Sequence, residues 1–409
     1  MKILFLCQYI TLNDSPIFSR NKTGYGFMVK DIAVSVAKSE EVDLLTMSYF
    51  NPEIQHQKVL LLKRSKWDII RFFNIKYLIL WLKSNKYPVP FKRNLYLLYY
   101  YMSLGYVNHI IKKGKYDLVH IHGLGTITEG YIECCKQYKI PFLITLHGLN
   151  SFSESIPLTA SEKQYERDFL LQAAEEKISL SFISSGDLQT VEKFVKKKCS
   201  NFYLINNGCD IKEKPYIENI RKRYSINQDN FVFVCVGNIS INKNQIQACR
   251  AYNLLPIEIK KRIKILFVGG MSNGSKKVIN YINTHQLENS LIICGAVDKE
   301  KMSDYYQAAN ATILLSFSEG FGLSIIEGFV YGLPSLTFSD LSAIDDVYNQ
   351  EAMYIVKERS DKVLIEAMLQ MIKHNWDREK IKKYSKKFSF EIMADKYIEL
   401  YCKIINNKK

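Results

Sequence analysis

Short apolar runs bounded by turn residues recur along the whole chain, separated by longer stretches whose apolar positions repeat at helical spacing. Near-continuous runs of valine, isoleucine, leucine and phenylalanine predict parallel strands covered on both faces, and the stretches between them predict the crossover helices of βα units. In the first half, strands are expected at Lys2–Cys7, Val42–Thr46, Leu118–His122, Phe142–His147, Ser181–Ser184 and Tyr203–Ile205. In the second half they are expected at Phe231–Val236, Lys264–Val268, Leu291–Cys294, Ala311–Leu315, Pro334–Phe338 and Met353–Val356. The halves repeat an architecture rather than a sequence. The pattern therefore predicts an α/β protein of two Rossmann-like domains joined near the polar, lysine-rich stretch Ile211–Asn230, with the cleft between them as the expected site. A length of 409 residues suits two separate cores.

Composition changes this picture only through charge. A net charge of +15 points toward anionic partners: nucleotide phosphates, acidic lipid headgroups or nucleic acid. The nine cysteines are scattered, without Cys-x-x-Cys spacing, and several lie inside strand-like runs, which predicts buried, reduced thiols in a cytoplasmic protein. Met1–Cys7 reads as a first core strand rather than a secretory signal. The most apolar window, residues 69–82, is broken by Arg71, Asn74 and Lys76 and cannot span a bilayer unaided. That window lies in a basic segment. Residues 63–93 hold Lys63, Arg64, Lys66, Arg71, Lys76, Lys83, Lys86, Lys92 and Arg93 against a single acid, Asp68. Trp67, Ile70, Phe73, Tyr77 and Trp81 fall at spacings of three and four, as along one helical face. A basic face with aromatic anchors predicts docking on the cytoplasmic face of an anionic membrane; the alternative is a stripe packed on the first domain, with solvated charges.

The residues that carry chemistry cluster at strand ends. Ser316 to Gly328 follows a predicted strand and opens a predicted helix; its glutamates, Glu319 and Glu327, are separated by seven residues, with Gly320 and Gly322 between them. Glycines let backbone approach a ligand closely, and free N–H groups at the helix start can bind a diphosphate. Glu327, one turn in, can accept two hydrogen bonds from a ribose diol. The same pattern also serves a plain strand-to-helix turn with solvated glutamates. Upstream, Val236-Gly237-Asn238 ends a strand, and Lys243 follows six residues after the glycine, where it can neutralise a departing phosphate or simply face solvent. Asp117–Gly123 and Pro141–Gly148 both end strands in His-Gly, placing His122 and His147 where α/β sheets contact ligands; His120 and His122 are read as structural. The chain holds no Asp-x-Asp, so no metal clamp is expected.

Glu319-Gly-Phe-Gly-Leu-Ser-Ile-Ile-Glu327, followed by Gly332-Leu-Pro334, resembles the retaining family-4 glycosyltransferases of GT-B fold, which carry Glu-x(7)-Glu and Gly-x-Pro in this order. The resemblance runs from the first strand to the aromatic segment Met393–Ile405. It implies a donor-binding second domain, residues 211–389, an acceptor-binding first domain, residues 1–210, and a C-terminal helix, residues 390–409, that packs back on the first. By the same resemblance Glu327 binds the nucleotide ribose, Glu319 lies near the donor sugar, and Phe321, Gly322, Leu323 and Ser324 contact the pyrophosphate and sugar. Lys243 is similar to the phosphate-binding lysine of Gly-Arg-Leu-x-x-x-Lys-Gly, although Asn238 stands where the family has arginine and Asn244 where it often has glycine. His147 resembles the histidine that approaches the donor sugar, Asn206–Asp210 the hinge segment, and Gly24 and Gly26 an acceptor-side loop beginning at Asn21.

The implied reaction moves a sugar from a nucleotide-sugar donor to a glycan or lipid-linked acceptor with retention, in cell-surface polysaccharide synthesis, without cofactor or metal. Other readings are a catalytically silent binding or scaffold protein of a polysaccharide assembly system, and a dinucleotide enzyme. The latter would carry Gly-x-Gly-x-x-Gly after the first strand, where this chain has Gln-Tyr-Ile-Thr-Leu-Asn. Nucleic-acid binding finds no recognised motif.

Overall fold

The computed structural model describes residues 1–19, 23–84, 91–125, 127–154 and 158–407, with the side chains of residues 84 and 91 excepted. The chain divides into two compact units, residues 1–207 with 390–409, and residues 208–389. The division falls between Asn207 and Gly208, inside the segment expected to act as a hinge.

The first unit is built on an eight-stranded sheet: β1 (Lys2–Leu6), β2 (Glu41–Leu45), β3 (Ile54–His56), β4 (Val59–Leu61), β5 (Leu118–His122), β6 (Phe142–Leu146), β7 (Leu180–Phe182) and β8 (Phe202–Leu204). Their order is β3-β4-β2-β1-β5-β6-β7-β8, so the sheet reverses direction of growth between β1 and β5. All pairings are parallel except the β3–β4 hairpin. That hairpin was not expected from the sequence. β7 also starts and ends earlier than expected, because Ser184 leaves the strand to cap the helix Ser185–Phe194, its hydroxyl accepting from the Asp187 N–H at 3.3 Å.

The second unit carries β9 (Phe231–Val236), β10 (Ile263–Val268), β11 (Leu291–Gly295), β12 (Ala311–Leu314), β13 (Ser335–Phe338) and β14 (Met353–Val356), in the order β11-β10-β9-β12-β13-β14. Strand alternation divides its core into two layers. Phe233 and Cys235 of β9, with Ile263, Ile265 and Phe267 of β10, face one layer, while Val232, Val234, Leu266 and Val268 face the other. Both faces are thus apolar, which is why these strands read as continuous apolar runs.

The helix Phe390–Asn406 belongs to the first unit. Met393, Ala394, Tyr397, Leu400, Tyr401 and Ile404 are buried at helical spacing. Its tyrosines enter the strand layer. The Tyr401 hydroxyl meets His120 Nδ1 at 2.7 Å, while His120 Nε2 meets Thr145 Oγ1 at 2.6 Å, and Thr145 continues to Ser181 Oγ at 2.6 Å. His120 is fully buried, so each of its ring nitrogens needs a partner. Tyr401→Phe keeps the ring packing but leaves His120 Nδ1 unpaired; it is expected to cost about 1–3 kcal/mol, read as a lower urea midpoint. An unchanged midpoint would show that the bond contributes nothing.

Candidate functional site

In an open α/β sheet, the loops that leave the carboxyl ends of the two strands flanking the reversal of strand order form a natural ligand crevice. In the second unit those strands are β9 and β12, and their loops contain Lys243 and Glu319. Gly237 ends β9 with φ 139°, and a Cβ there would lie 2.9 Å from Lys243 Cε. Glycine therefore lets the lysine chain fold back over the strand end. The Lys243 ammonium donates to Glu319 Oε1 at 2.5 Å, and Ser316 Oγ donates to the same oxygen. Asn242 fastens the two loops together: its amide donates to Ser318 O at 2.9 Å, its Oδ1 accepts from Ser318 N at 3.1 Å, and its carbonyl accepts from Phe317 N at 2.8 Å.

Arg359, just beyond β14, holds the Glu319 loop from the other side. It donates to Leu315 O at 3.1 Å and Ser316 O at 2.7 Å, and grips Asp340 with two nitrogens, each at 2.7 Å. Its guanidinium lies over the Phe317 and Phe338 rings. Such a planar fork satisfies two carbonyls and a carboxylate at once, which an ammonium cannot. Ser342 Oγ adds a bond to Glu319 O at 2.7 Å.

Gly322, at φ 75°, turns the loop into the helix Leu323–Val330, whose first turn no side chain caps. Its leading N–H groups, at Leu323 and Ser324, therefore present a partial positive charge, and both residues are half-buried. Phe321 is buried edge-on against Phe388, so only its backbone is left for a ligand. Glu327 lies one turn on, its Oε2 accepting from the buried Tyr306 hydroxyl at 2.7 Å. Tyr306 stacks on Tyr331, and burial raises its hydroxyl well above the usual tyrosine range, so it stays a donor. Asn238 does not stand in as a charged contact. Its Oδ1 accepts from Gly270 N at 3.0 Å and ties the β9 loop to the β10 loop. There Gly269 (φ 159°) passes so close that a Cβ would meet Gly237 O at 2.1 Å. Asn244 adopts φ 54°, the left-handed conformation that a family glycine would supply and that asparagine tolerates. Asn242, Gly269, Tyr306 and Arg359 were missed in the sequence; a glycine pair directly after β10 was the one visible signal.

In the first unit the corresponding strand ends carry histidines. His122 Nδ1 lies 3.1 Å from His147 Nε2, while His122 Nε2 is buried with no hydrogen-bond partner among the described residues. Tyr25 donates to His122 O at 2.9 Å and sets its ring edge-on to His147. Tyr25 sits between Gly24 and Gly26. These glycines are not in a loop as expected; they form the first turn of the helix Gly24–Val36, capped by Thr23, whose hydroxyl accepts from Gly26 N at 3.1 Å. Gly26 is required sterically, since a Cβ would lie 2.3 Å from Thr11 Oγ1. Asn21 and Lys22 lie outside the described residues. Among the described residues, no three His, Cys, Asp or Glu side chains converge as a metal site would need.

Burial pushes His120 and His122 well below the ordinary histidine value, and His147 down to about 4. Their contacts are Phe5, Tyr25, Thr145, Tyr397 and Tyr401, uncharged at neutral pH. A histidine kept neutral by folding contributes fully above its free value near 6.5, and its contribution is lost as pH falls toward the folded value. Each pH unit below about 6.5 therefore costs about 1.4 kcal/mol per such histidine. The urea midpoint is expected to fall from pH 7 to pH 5, and less steeply in His120→Gln; a flat wild-type midpoint would contradict the neutral assignment.

The fold agrees with what the chain matches among known proteins. Residues 216–388 match the family described as glycosyl transferases group 1, and residues 32–211 match glycosyltransferase family 4. The poly(glycerol-phosphate) alpha-glucosyltransferase of Bacillus subtilis is 24% identical over 226 residues, 55% of this chain but only 32% of that protein. An Escherichia coli UDP-Gal:alpha-D-GlcNAc-diphosphoundecaprenol alpha-1,3-galactosyltransferase is 25% identical over 254 residues, 60% of this chain and 63% of its own length. Thus the match spans less than two thirds of either relative. The sucrose-phosphate synthase of Thermosynechococcus elongatus superposes with a TM-score of 0.76 at 17% identity, covering 100% of both chains, a likeness of fold. With one family matched by each half, two parallel-sheet units and the Glu319–Glu327 loop at the strand reversal, the chain belongs to the group 1, family-4 glycosyltransferases of GT-B fold.

Proposed function

We propose that this glycosyltransferase moves a sugar, with retention of anomeric configuration, from a nucleotide-sugar to a glycan or lipid-linked acceptor in cell-surface polysaccharide synthesis. The observation that carries the reading is the Lys243–Glu319 pair at the ends of β9 and β12, beside an uncapped helix start with Glu327 one turn in. The relatives' names support the chemistry: one takes UDP-Gal and a diphosphate-linked lipid acceptor, another a glycerol-phosphate polymer.

In this reading the donor diphosphate lies against the N–H groups of Gly322, Leu323 and Ser324, and the ribose diol donates to Glu327, which Tyr306 holds in place. The bond between the sugar C1 and the phosphate oxygen breaks, its electron pair staying on phosphate. The acceptor oxygen bonds to C1 on the same face and passes its proton to that phosphate oxygen. Lys243, released from Glu319 when the donor enters, stabilises the growing phosphate charge, and Glu319 then accepts from a sugar hydroxyl. His147 keeps the sugar-side role that the resemblance implies, and neutral imidazole suits it. No step uses a metal ion. Asn238 in the arginine position favours one other reading, a binding or scaffold protein; nucleotide-sugar turnover by the purified chain excludes it.

A thermal-shift screen over nucleotide-sugars is expected to find a donor that raises the melting temperature. With that donor, Lys243→Ala and Glu327→Ala should each lower transfer on the order of a hundredfold, the equivalent of about 3 kcal/mol, with the fold intact by circular dichroism. Wild-type rates in both variants would remove the site assignment. Transfer is expected to survive EDTA, and the product to keep the donor's anomeric proton coupling. Loss in EDTA restored by manganese, or an inverted coupling, would refute the corresponding half of the mechanism.

A further inference from the structure

The basic segment of the first unit folds as three helices, Asp68–Arg71, Ile75–Ser84 and Phe91–Met102. The stripe expected to face outward is partly turned in. Tyr77 is buried with its hydroxyl bonded to Asn108 and Cys134, and Leu80 and Trp81 pack against the core. The reason is that Ile75–Ser84 is apolar on two faces, and only one can reach the core. The other carries Ile75, Ile79 and Leu82, at spacings of four and three, exposed at 61%, 48% and 61%.

Trp67, at 74% exposed, Ile70 and Phe73 precede this face, and Leu95 and Tyr96 follow it on the next helix, all exposed. Eight of the twenty exposed large hydrophobic side chains of the described protein thus fall within residues 67–96. Scattered exposed apolar residues are ordinary, whereas a concentration of them marks a contact surface.

The charges around them select the partner. Of the nine basic residues, Arg64 is buried against Thr46 O and Ser103, Arg93 is paired with Glu162, and Lys86 lies outside the described residues. Six remain exposed: Lys63, Lys66, Arg71, Lys76, Lys83 and Lys92. The single acid, Asp68, has its carboxylate engaged by Ser65 N at 2.6 Å. A second copy of the chain meeting this face symmetrically would bring six cations against six, which disfavours self-association. A sheet of phosphate headgroups over hydrocarbon complements both components, and tryptophan and tyrosine are the side chains that suit that boundary. Among the described residues no helix is long and apolar enough to cross a membrane, so contact would be in the plane of the interface.

We propose that residues 63–83 and 92–96 form a docking surface for an anionic phospholipid bilayer, with Trp67, Ile75, Ile79 and Leu82 entering the headgroup boundary and the six exposed cations holding its phosphates. The surface belongs to the first unit and the proposed donor site to the second, and the proposal does not depend on sugar transfer. Co-sedimentation of the full chain with vesicles tests it. Binding is expected to mixed phosphatidylglycerol–phosphatidylcholine vesicles, to weaken with salt, and to be slight on phosphatidylcholine alone. Lys66→Glu combined with Lys76→Glu and Lys83→Glu should lower partition at least about a hundredfold. Ile75→Ser with Ile79→Ser and Leu82→Ser should lower it while leaving the salt dependence in place. These side chains are exposed, so circular dichroism melting should match wild type. If a variant nonetheless fails to fold, the wild type decides: brominated lipid should quench tryptophan emission, and Trp67→Phe should abolish the quenching. Equal binding to neutral and anionic vesicles, binding to neither, unquenched Trp67, or a wild-type dimer that the serine variant returns to monomer would each overturn the proposal.

Discussion

Lys243 reaches Glu319 over a position, 237, that has no side chain, and the loops at the strand reversal of the second unit are arranged around that contact. Two loops, 76 residues apart in sequence, must converge on one ion pair. Parallel pairing of β9 and β12 sets their starting points, Asn242 clamps the loops, and Arg359 fixes the carbonyls at the end of β12. The pair is half-buried, so its benefit comes less from Coulomb attraction than from holding a cation and a carboxylate in a fixed geometry. Preorganisation of that kind is what a site handling a diphosphate needs, because charge that is already oriented requires no reorganisation when the ligand charge grows.

The first unit solves a different problem. It places His120 and His122 on β5 and His147 just beyond β6, and burial keeps them uncharged. His120 reaches full satisfaction only through Tyr401, supplied by the helix at the far end of the chain. That helix is therefore part of the sheet's polar accounting as well as a cover for its apolar face. His147, by contrast, bonds to His122 and touches Tyr25, and is less buried than either neighbouring histidine, which leaves it the one of the three open to a ligand.

What could be read from the sequence follows from burial. Strands of a doubly covered parallel sheet are apolar throughout, so all twelve expected strands exist, most within a residue or two of the expected bounds. The β3–β4 hairpin escaped because its strands are three residues long and one of them is largely polar. The face of Ile75–Ser84 was misjudged because periodicity locates an apolar stripe but cannot rank two stripes on one helix; tertiary contacts with Cys134 and Asn108 made that choice. The Glu319–Glu327 loop was legible since both residues lie in one local turn. Arg359 was not, since its role exists only once β12, β13 and β14 lie side by side.

Asn238 shows how one departure from the family pattern propagates. An arginine has only donors, so it could not accept the Gly270 N–H that Asn238 Oδ1 accepts at 3.0 Å. The exchange therefore trades a cation for an acceptor. What is gained is a fixed β10 loop: Gly269 is pressed against Gly237 O, and the Asn238 bond holds the next residue in register with it. What is lost is one positive charge at the end of β9, which leaves Lys243 as the only cation among the residues 237–244. Two glycines carry these consequences: a side chain at Gly237 would press on the Lys243 chain, and one at Gly269 would press on the Gly237 backbone. The strand end of β9 thus concentrates its charge in one residue and fixes its neighbours through neutral hydrogen bonds, so the geometry of Lys243 depends on Gly237, Asn238 and Gly269 as a single packed unit.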